Sequence, residues 1–155
     1  MGLPYENASS GDKALGEIQK LLRGFGCQKF GSMVDDEAQS LTVQFQYRGQ
    51  MVSVRASFAG YAAAWIKEHP FSNRMRKTRQ QYEQQARDKA SVAVYSIVRD
   101  WIKGQVTAIE TGILSFEGAF LGQIMLPSGH TVLEYANSQN LLPGPGNDSA
   151  DTECE

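Results

Sequence analysis

"LTVQFQYRGQMVSVRASF", residues 41–58, decides the fold. Its first half sets Leu41, Val43, Phe45 and Tyr47 against Thr42, Gln44, Gln46 and Arg48, the period-two alternation of a strand with one buried face. The second half repeats the pattern with Met51 or Val52, Val54, Ala56 and Phe58. The short link "RGQ" predicts a tight hairpin in which Gly49 takes a positive φ. Upstream, the acidic turn "DDEAQS" joins this hairpin to a preceding strand. The result is a three-stranded antiparallel meander whose apolar face needs helices to cover it.

Helical spacing appears on both sides of the meander. "SGDKALGEIQKLLR" (10–23) places Ala14, Leu15, Ile18, Leu21 and Leu22 on one face, with Ser10 as cap and Gly24 as stop. The glycines of "GFGCQKFGSMV" do not form a dinucleotide loop, because they follow a helix and precede a strand, the reverse of what that fingerprint requires. "AGYAAAWIKEHP" predicts a short helix closed by Pro70, with Tyr61, Ala64, Trp65 and Ile66 facing inward. Thr78 and Gln81 give a T-x-x-Q capping box, so a long helix should open at about Arg79.

The long helix has two characters. From Ala86 onward its apolar residues (Ala90, Ala93, Val94, Ile97, Val98, Trp101, Ile102) keep helical spacing, which predicts burial. Before that, "RQQYEQQARDK" is polar on nearly all sides, so this half should project beyond the core or lie along it against solvent. Gly104 is a candidate end or kink, although Val106, Ile109 and Ile113 continue the spacing. "SFEGAFLGQIML" reads as a further short helix from Ser115, and Thr131 with Glu134 caps another. The fold expected is α+β: one domain over residues 8–142, the meander packed by an N-terminal helix, a long central helix and short C-terminal helices. Residues 1–7 are an extension, and 143–155 a disordered acidic tail with too little apolar content to fold.

Composition bounds the function. A chain of 155 residues, 41% hydrophobic, suits one domain with an ordinary core. No apolar run reaches the roughly 20 residues that cross a bilayer, and the N-terminus lacks the order of a signal peptide; "MGLPYEN" also departs from a myristoylation motif. A cytoplasmic protein with no membrane partner is expected, and two cysteines, Cys27 and Cys154, fit a reducing compartment. The net charge of −2 becomes +2 once the four acids of the tail (Asp148, Asp151, Glu153, Glu155) are set aside, so the body is mildly basic.

Catalytic signatures are missing. His69 and His130 sit beside turn residues with no ligand partner at zinc spacing, and no phosphate loop, nucleophile elbow or H-E-x-x-H occurs. Asp35, Asp36 and Glu37 are adjacent in a turn, where their side chains diverge and Asp serves backbone geometry. No metal and no cofactor is expected. An enzyme would need two or more of Asp100, Glu110, Glu117 and the histidines to converge in one pocket.

Positive charge is concentrated in "SNRMRKTRQQYEQQARDK" (72–89). Arg74, Arg76 and Lys77 precede a helix N-terminus and Arg79 opens it, where the helix dipole favours negative charge. Cations there do not help the helix; they help hold an anion. Lys67, Arg87 and Lys89 extend the region and Glu68, Glu83 and Asp88 dilute it. Two partners suit it: nucleic-acid phosphates, with Arg48 and Arg55 assisting and Tyr47, Phe71 or Tyr82 stacking on bases, or an acidic protein surface. A loop between helices that is merely solvated accounts for the same charges, and the acidic tail is also placed to screen them.

The order helix, three strands, helix is similar to that of double-stranded-RNA-binding domains. Their lysine cluster at the helix after the third strand is replaced here by "AGYAAAW" (59–65), so the likeness is one of topology. "LPYENASSGDKALGEIQKLLRGFGC" (3–27) and "RDWIKGQVTAIETGILSFEGAFLGQIMLP" (99–127) resemble small uncharacterised proteins of tailed-phage and prophage genomes, over most of the chain up to about Leu142. That resemblance implies an accessory role in DNA metabolism or in blocking a host system, and carries no site residues. The function expected is a small non-enzymatic protein that contacts nucleic-acid phosphates through Arg74, Arg76, Lys77 and Arg79, with Lys67, Arg87 and Lys89 at longer range. The alternative is a protein-interaction module, an adaptor or inhibitor, using the same patch or the Trp101 to Phe120 region.

Overall fold

The computed structural model describes residues 2–9 and 11–144 of the chain. The order is α1 (Gly11–Phe25), β1 (Lys29–Asp35), β2 (Ser40–Tyr47), β3 (Gln50–Ser57), α2 (Phe58–Glu68), α3 (Arg79–Glu110), α4 (Phe116–Phe120) and α5 (Val132–Ser138). This is the α+β architecture the alternation implies, with β1, β2 and β3 forming one antiparallel meander. Val43 pairs with Val54 and Phe45 with Val52, and Leu41, Val43, Phe45 and Val52 are fully buried on one face. Tyr47 pairs with Gln50 across a two-residue turn. Both turn residues, Arg48 and Gly49, have positive φ (48° and 82°), the mirror-image conformation that matches strand twist. At the other turn the Asp35 carboxylate accepts from the Ala38 amide at 2.9 Å, so this acid serves the backbone.

The helices cover the β2–β3 part of the sheet and leave β1 largely exposed, Met33 and Val34 included. α1 buries Ala14, Ile18 and Leu22. It does not stop at Gly24 but at Phe25, and Gly26 (φ 107°) is the left-handed terminator. The Gly26 amide reaches the Arg23 carbonyl and the Cys27 amide the Leu22 carbonyl, the paired bonds that close a helix C-terminus. The expected cap, Ser10, lies outside the described residues. α2 starts one residue early, at Phe58, because the Ser57 hydroxyl accepts from the Gly60 amide. Its inner face is Phe58, Ala62 and Trp65.

α3 is 32 residues long and opens on the expected capping box, the Thr78 hydroxyl accepting from the Gln81 amide while the Gln81 side chain accepts from the Thr78 amide. Gly104 neither ends nor interrupts the helix, which buries Val106 and runs on to Glu110. Ile113 lies past its end and is 75% exposed, so the apolar spacing stops four residues earlier than the sequence suggests. The polar-looking first half lies along α2, burying Tyr82, Ala86 and Ala90.

Two further segments complete the packing. After α4, capped by Ser115, the chain does not stay α-helical: it tightens at Leu121–Gln123, and Ile124 then bridges Val52 while the Met125 amide bonds the Met51 carbonyl. A sheet edge with unpaired groups takes precedence over helical spacing there. At the N-terminus Leu3 packs on the core, the Tyr61 hydroxyl donates to the Pro4 carbonyl, and the Tyr5 hydroxyl donates to Asp100. The acidic stretch from residue 145 onward is outside the described residues.

Candidate functional site

Pro70 ends α2 and Thr78 caps α3, so the residues between them form a loop, anchored on the core by Phe71 and held otherwise by short-range bonds. The Met75 amide bonds the Ser72 carbonyl at 3.0 Å, and the Arg74 amide bonds the Ser72 hydroxyl at 3.3 Å. Arg74, Arg76, Lys77 and Arg79 are all exposed. Lys77 donates to the Gln85 side chain, and the Arg79 guanidinium lies 5.6 Å from the centre of the Phe71 ring. Among the described residues none of the four forms an ion pair. The capping box occupies the Gln81 amide, one of the first-turn donors the sequence offered to an anion.

The longer-range cations divide. Lys67 is exposed in the last turn of α2, and Lys89 stands one turn beyond Gln85, on the flank that Lys77 touches. Arg87 is on the other flank: it donates to Gln84 at 2.8 Å and faces the β1–β2 turn, sharing a hollow with Asp36. Arg48 belongs to another cluster, 5.2 Å above the Tyr47 ring, and Tyr47 stacks on Phe25 at 4.3 Å. The stacking aromatics therefore do not meet in one surface.

The structure adds something that local sequence patterns do not reveal. Beneath the basic loop, α2 and the start of α3 flank an open hollow of about 420 Å³ lined by Trp65, His69, Tyr82, Gln85, Met75, Arg76 and Lys77. Its walls are aromatic: Trp65 meets Tyr82 at 5.3 Å and His69 at 4.7 Å, while Phe71 packs on Tyr82 at 5.5 Å. Tyr82, expected as a surface stacker, is 3% exposed and belongs to the wall. Burial pushes its phenol above the usual range. Trp65 Nε1 and the Tyr82 hydroxyl are both buried with no hydrogen-bond partner among the described residues. The only sequence signal is a lone tyrosine in a run of Gln, Arg and Glu.

The remaining polar groups are engaged elsewhere. His69 is not a bare loop residue: its Nε2 lies 2.8 Å from Glu6, and its Nδ1 3.1 Å from the Trp65 carbonyl. His130 pairs with Glu134, whose carboxyl it holds below the usual range, helped by Thr131. The Tyr5 hydroxyl and Arg99 do the same to Asp100, and Arg99 also bonds Glu17 at 3.0 Å. Glu110 and Glu117 share an open hollow with Arg48 and Phe116, and neither histidine lines it. Among the described residues no three His, Cys, Asp or Glu side chains converge as a metal site would need, and no helix is long and apolar enough to cross a membrane. Comparison with protein-family models, with curated proteins and with solved structures finds no match.

Proposed function

We propose that this is a non-enzymatic binding protein that holds nucleic-acid phosphates against the loop between α2 and α3, in the setting of a phage or prophage accessory protein. The observation that carries the reading is four exposed cations within six residues, Arg74, Arg76, Lys77 and Arg79, none of them ion-paired among the described residues. They gather at a helix start, where positive charge costs the helix typically 0.3–1 kcal/mol. Such an arrangement gives the fold little beyond the Arg79–Phe71 and Lys77–Gln85 contacts, and a polyanion a great deal. Lys67 in the last turn of α2 and Lys89 one turn beyond Gln85 would add longer-range attraction; Arg87, sharing a hollow with Asp36, would add less.

The test is fluorescence anisotropy with labelled single- and double-stranded DNA and RNA at two salt concentrations. The wild type is compared with a variant carrying Arg74, Arg76, Lys77 and Arg79 all changed to Ala. Four phosphate contacts should give log K a slope of about −3 against log salt, largely lost in the variant. No binding to any of the four nucleic acids at low salt overturns the reading.

A second reading, a protein-interaction module, has its own support. At the two ends of the Trp101 to Phe120 region the side chains turn inward, Phe120 fully buried and Trp101 packed edge-on against it. Ile113, Leu114, Leu121 and Leu133, however, are exposed. Binding through them would respond little to salt and would survive the four alanines.

A further inference from the structure

Trp65 and Tyr82 are 4% and 3% exposed, and among the described residues theirs are the two buried side-chain polar atoms left without a partner. Both residues line the hollow beneath the basic loop. A buried donor without an acceptor is destabilising, and phenylalanine at either position would fill much of the same space without that cost. Neither atom opens onto the hollow as it stands, yet both belong to residues that flank it, and two unmet groups beside one hollow call for a partner from outside the chain.

The lining describes its ligand. An indole N–H only donates, so the ligand presents an acceptor at depth; a phenol hydroxyl donates or accepts. Trp65, His69 and Tyr82 supply aromatic walls that suit a planar group, with Phe71 packed behind Tyr82 and Gln85 adding an amide to the lining. Arg76 and Lys77 stand at the rim with positive charge. The volume of about 420 Å³ lies within the roughly 300–1,000 Å³ typical of small-molecule sites. Planar ring, acceptor atoms and attached anion together describe a nucleobase on its phosphate.

We propose that this hollow takes one unstacked nucleobase, with ring atoms accepting from Trp65 Nε1 and bonding the Tyr82 hydroxyl while the phosphate rests on Arg76 and Lys77. This rests on the nucleic-acid reading and deepens it: the preferred ligand is a single strand, whose bases are free to leave the stack. Both polar atoms are closed off from solvent, so the base enters as the segment carrying Met75 to Lys77 yields. That segment is exposed and held by the two short-range bonds to Ser72 and the Lys77–Gln85 contact.

The experiment follows the two indole N–H resonances of the ¹⁵N-labelled full chain, which has two tryptophans, assigning Trp65 with Trp65→Phe. The ligands are nucleoside 5′-monophosphates, ribose 5-phosphate, a short single-stranded oligonucleotide and its duplex. The Trp65 resonance should shift with the monophosphates and the single strand, while Trp101 and ribose 5-phosphate serve as unresponsive controls. Tyr82→Phe should melt at the wild-type temperature or above it, yet bind the single strand about 2- to 10-fold more weakly. A hydroxyl with only a structural role would leave affinity unchanged.

The outcomes separate the two proposals. If the strand binds and the four-alanine variant does not, but Trp65 never moves, phosphate binding stands and the base site falls. If monophosphates move Trp65 and no strand binds, the base site stands and the polynucleotide reading falls. Equal shifts with ribose 5-phosphate reduce the hollow to an anion site and overturn the proposal. So does an indole N–H that exchanges magnetisation with water and ignores every nucleotide.

Discussion

The two halves of α3 share one helix and one register but meet opposite kinds of neighbours. The later half packs Val94, Val98, Ile102 and Val106 into an aliphatic and aromatic core with α1 and the sheet. The earlier half sets Tyr82, Ala86 and Ala90 against α2, and at its start leaves a hollow and, among the described residues, two unpartnered polar atoms and a collar of cations without ion pairs. Sequence cost falls differently on the two. The buried apolar groups of the later half lower the free energy of folding, whereas around the start of the helix, despite its capping box, the dipole is opposed and two buried polar atoms lack partners among the described residues. Trp65 and Tyr82 belong to the core by their rings and stand apart from it by their polar atoms, and single substitutions test that division.

The largest effect should come from breaking the folding side. Phe45 is fully buried and edge-on to Phe120 at 5.4 Å. Phe45→Ala should cost about 3–5 kcal/mol in urea unfolding, a large share of a typical domain's 5–15 kcal/mol. A loss below about 1 kcal/mol would mean that the sheet face is not the centre of stability. Next comes Cys27, beside the same core at the exit of α1, whose thiol burial pushes up to about 11 from 9.0. The folded state keeps that proton after the unfolded chain has released it. Its contribution to stability is therefore full below about pH 9 and lost as pH rises toward 11. At pH 8 the smaller thiolate fraction alone should slow alkylation of Cys27 about 100-fold relative to the unfolded chain, read by peptide mass spectrometry. Equally fast labelling in both states would show the core open there.

Thr78 tests the boundary between the halves and the loop. Thr78→Ala removes the acceptor for the Gln81 amide and should cost about 1 kcal/mol. Because the cap also fixes the end of the basic loop, strand affinity should fall with it. Unchanged affinity would show that the loop does not depend on the cap for its placement.

How much of this was legible in the sequence follows from how local each signal is. The meander and the caps at Thr78 and Thr131 were readable because alternation and capping act over two to four residues; the helix near Ser115 was read too, though not that Ser115 caps it. The short strand-like pairing of Ile124 with Val52 was not, since the need of β3 for an edge partner is written 70 residues away from the segment that meets it. Gly104 misled because packing of Val106 outweighs the roughly 1 kcal/mol the glycine costs. The basic loop was visible as composition; the hollow beneath it was not. Tyr82 looked exposed among glutamines because its small companions, Ala86 and Ala90, make an apolar stripe too weak to read, and Trp65 meets it only through the docking of two helices. For the same reason the Glu6–His69 contact left no mark in the spacing.

The smallest expected change in stability sharpens the comparison most. Arg79 sits at the first helical position, where its charge opposes the dipole by about 0.3–1 kcal/mol, and over Phe71, where an exposed cation–π contact returns about 0.5–1 kcal/mol. The two terms cancel within their range, so Arg79→Ala should leave the unfolding free energy within about 0.5 kcal/mol of wild type. The same substitution removes one phosphate contact, and should reduce the magnitude of the salt slope by about 0.7 for a single strand and weaken binding at every sequence alike. Stability and affinity would then separate at a single side chain. If instead the variant loses more than about 1 kcal/mol and keeps its salt slope, Arg79 belongs to the folding half of the helix, as a prop for Phe71. The cationic collar would then shrink to Arg74, Arg76 and Lys77.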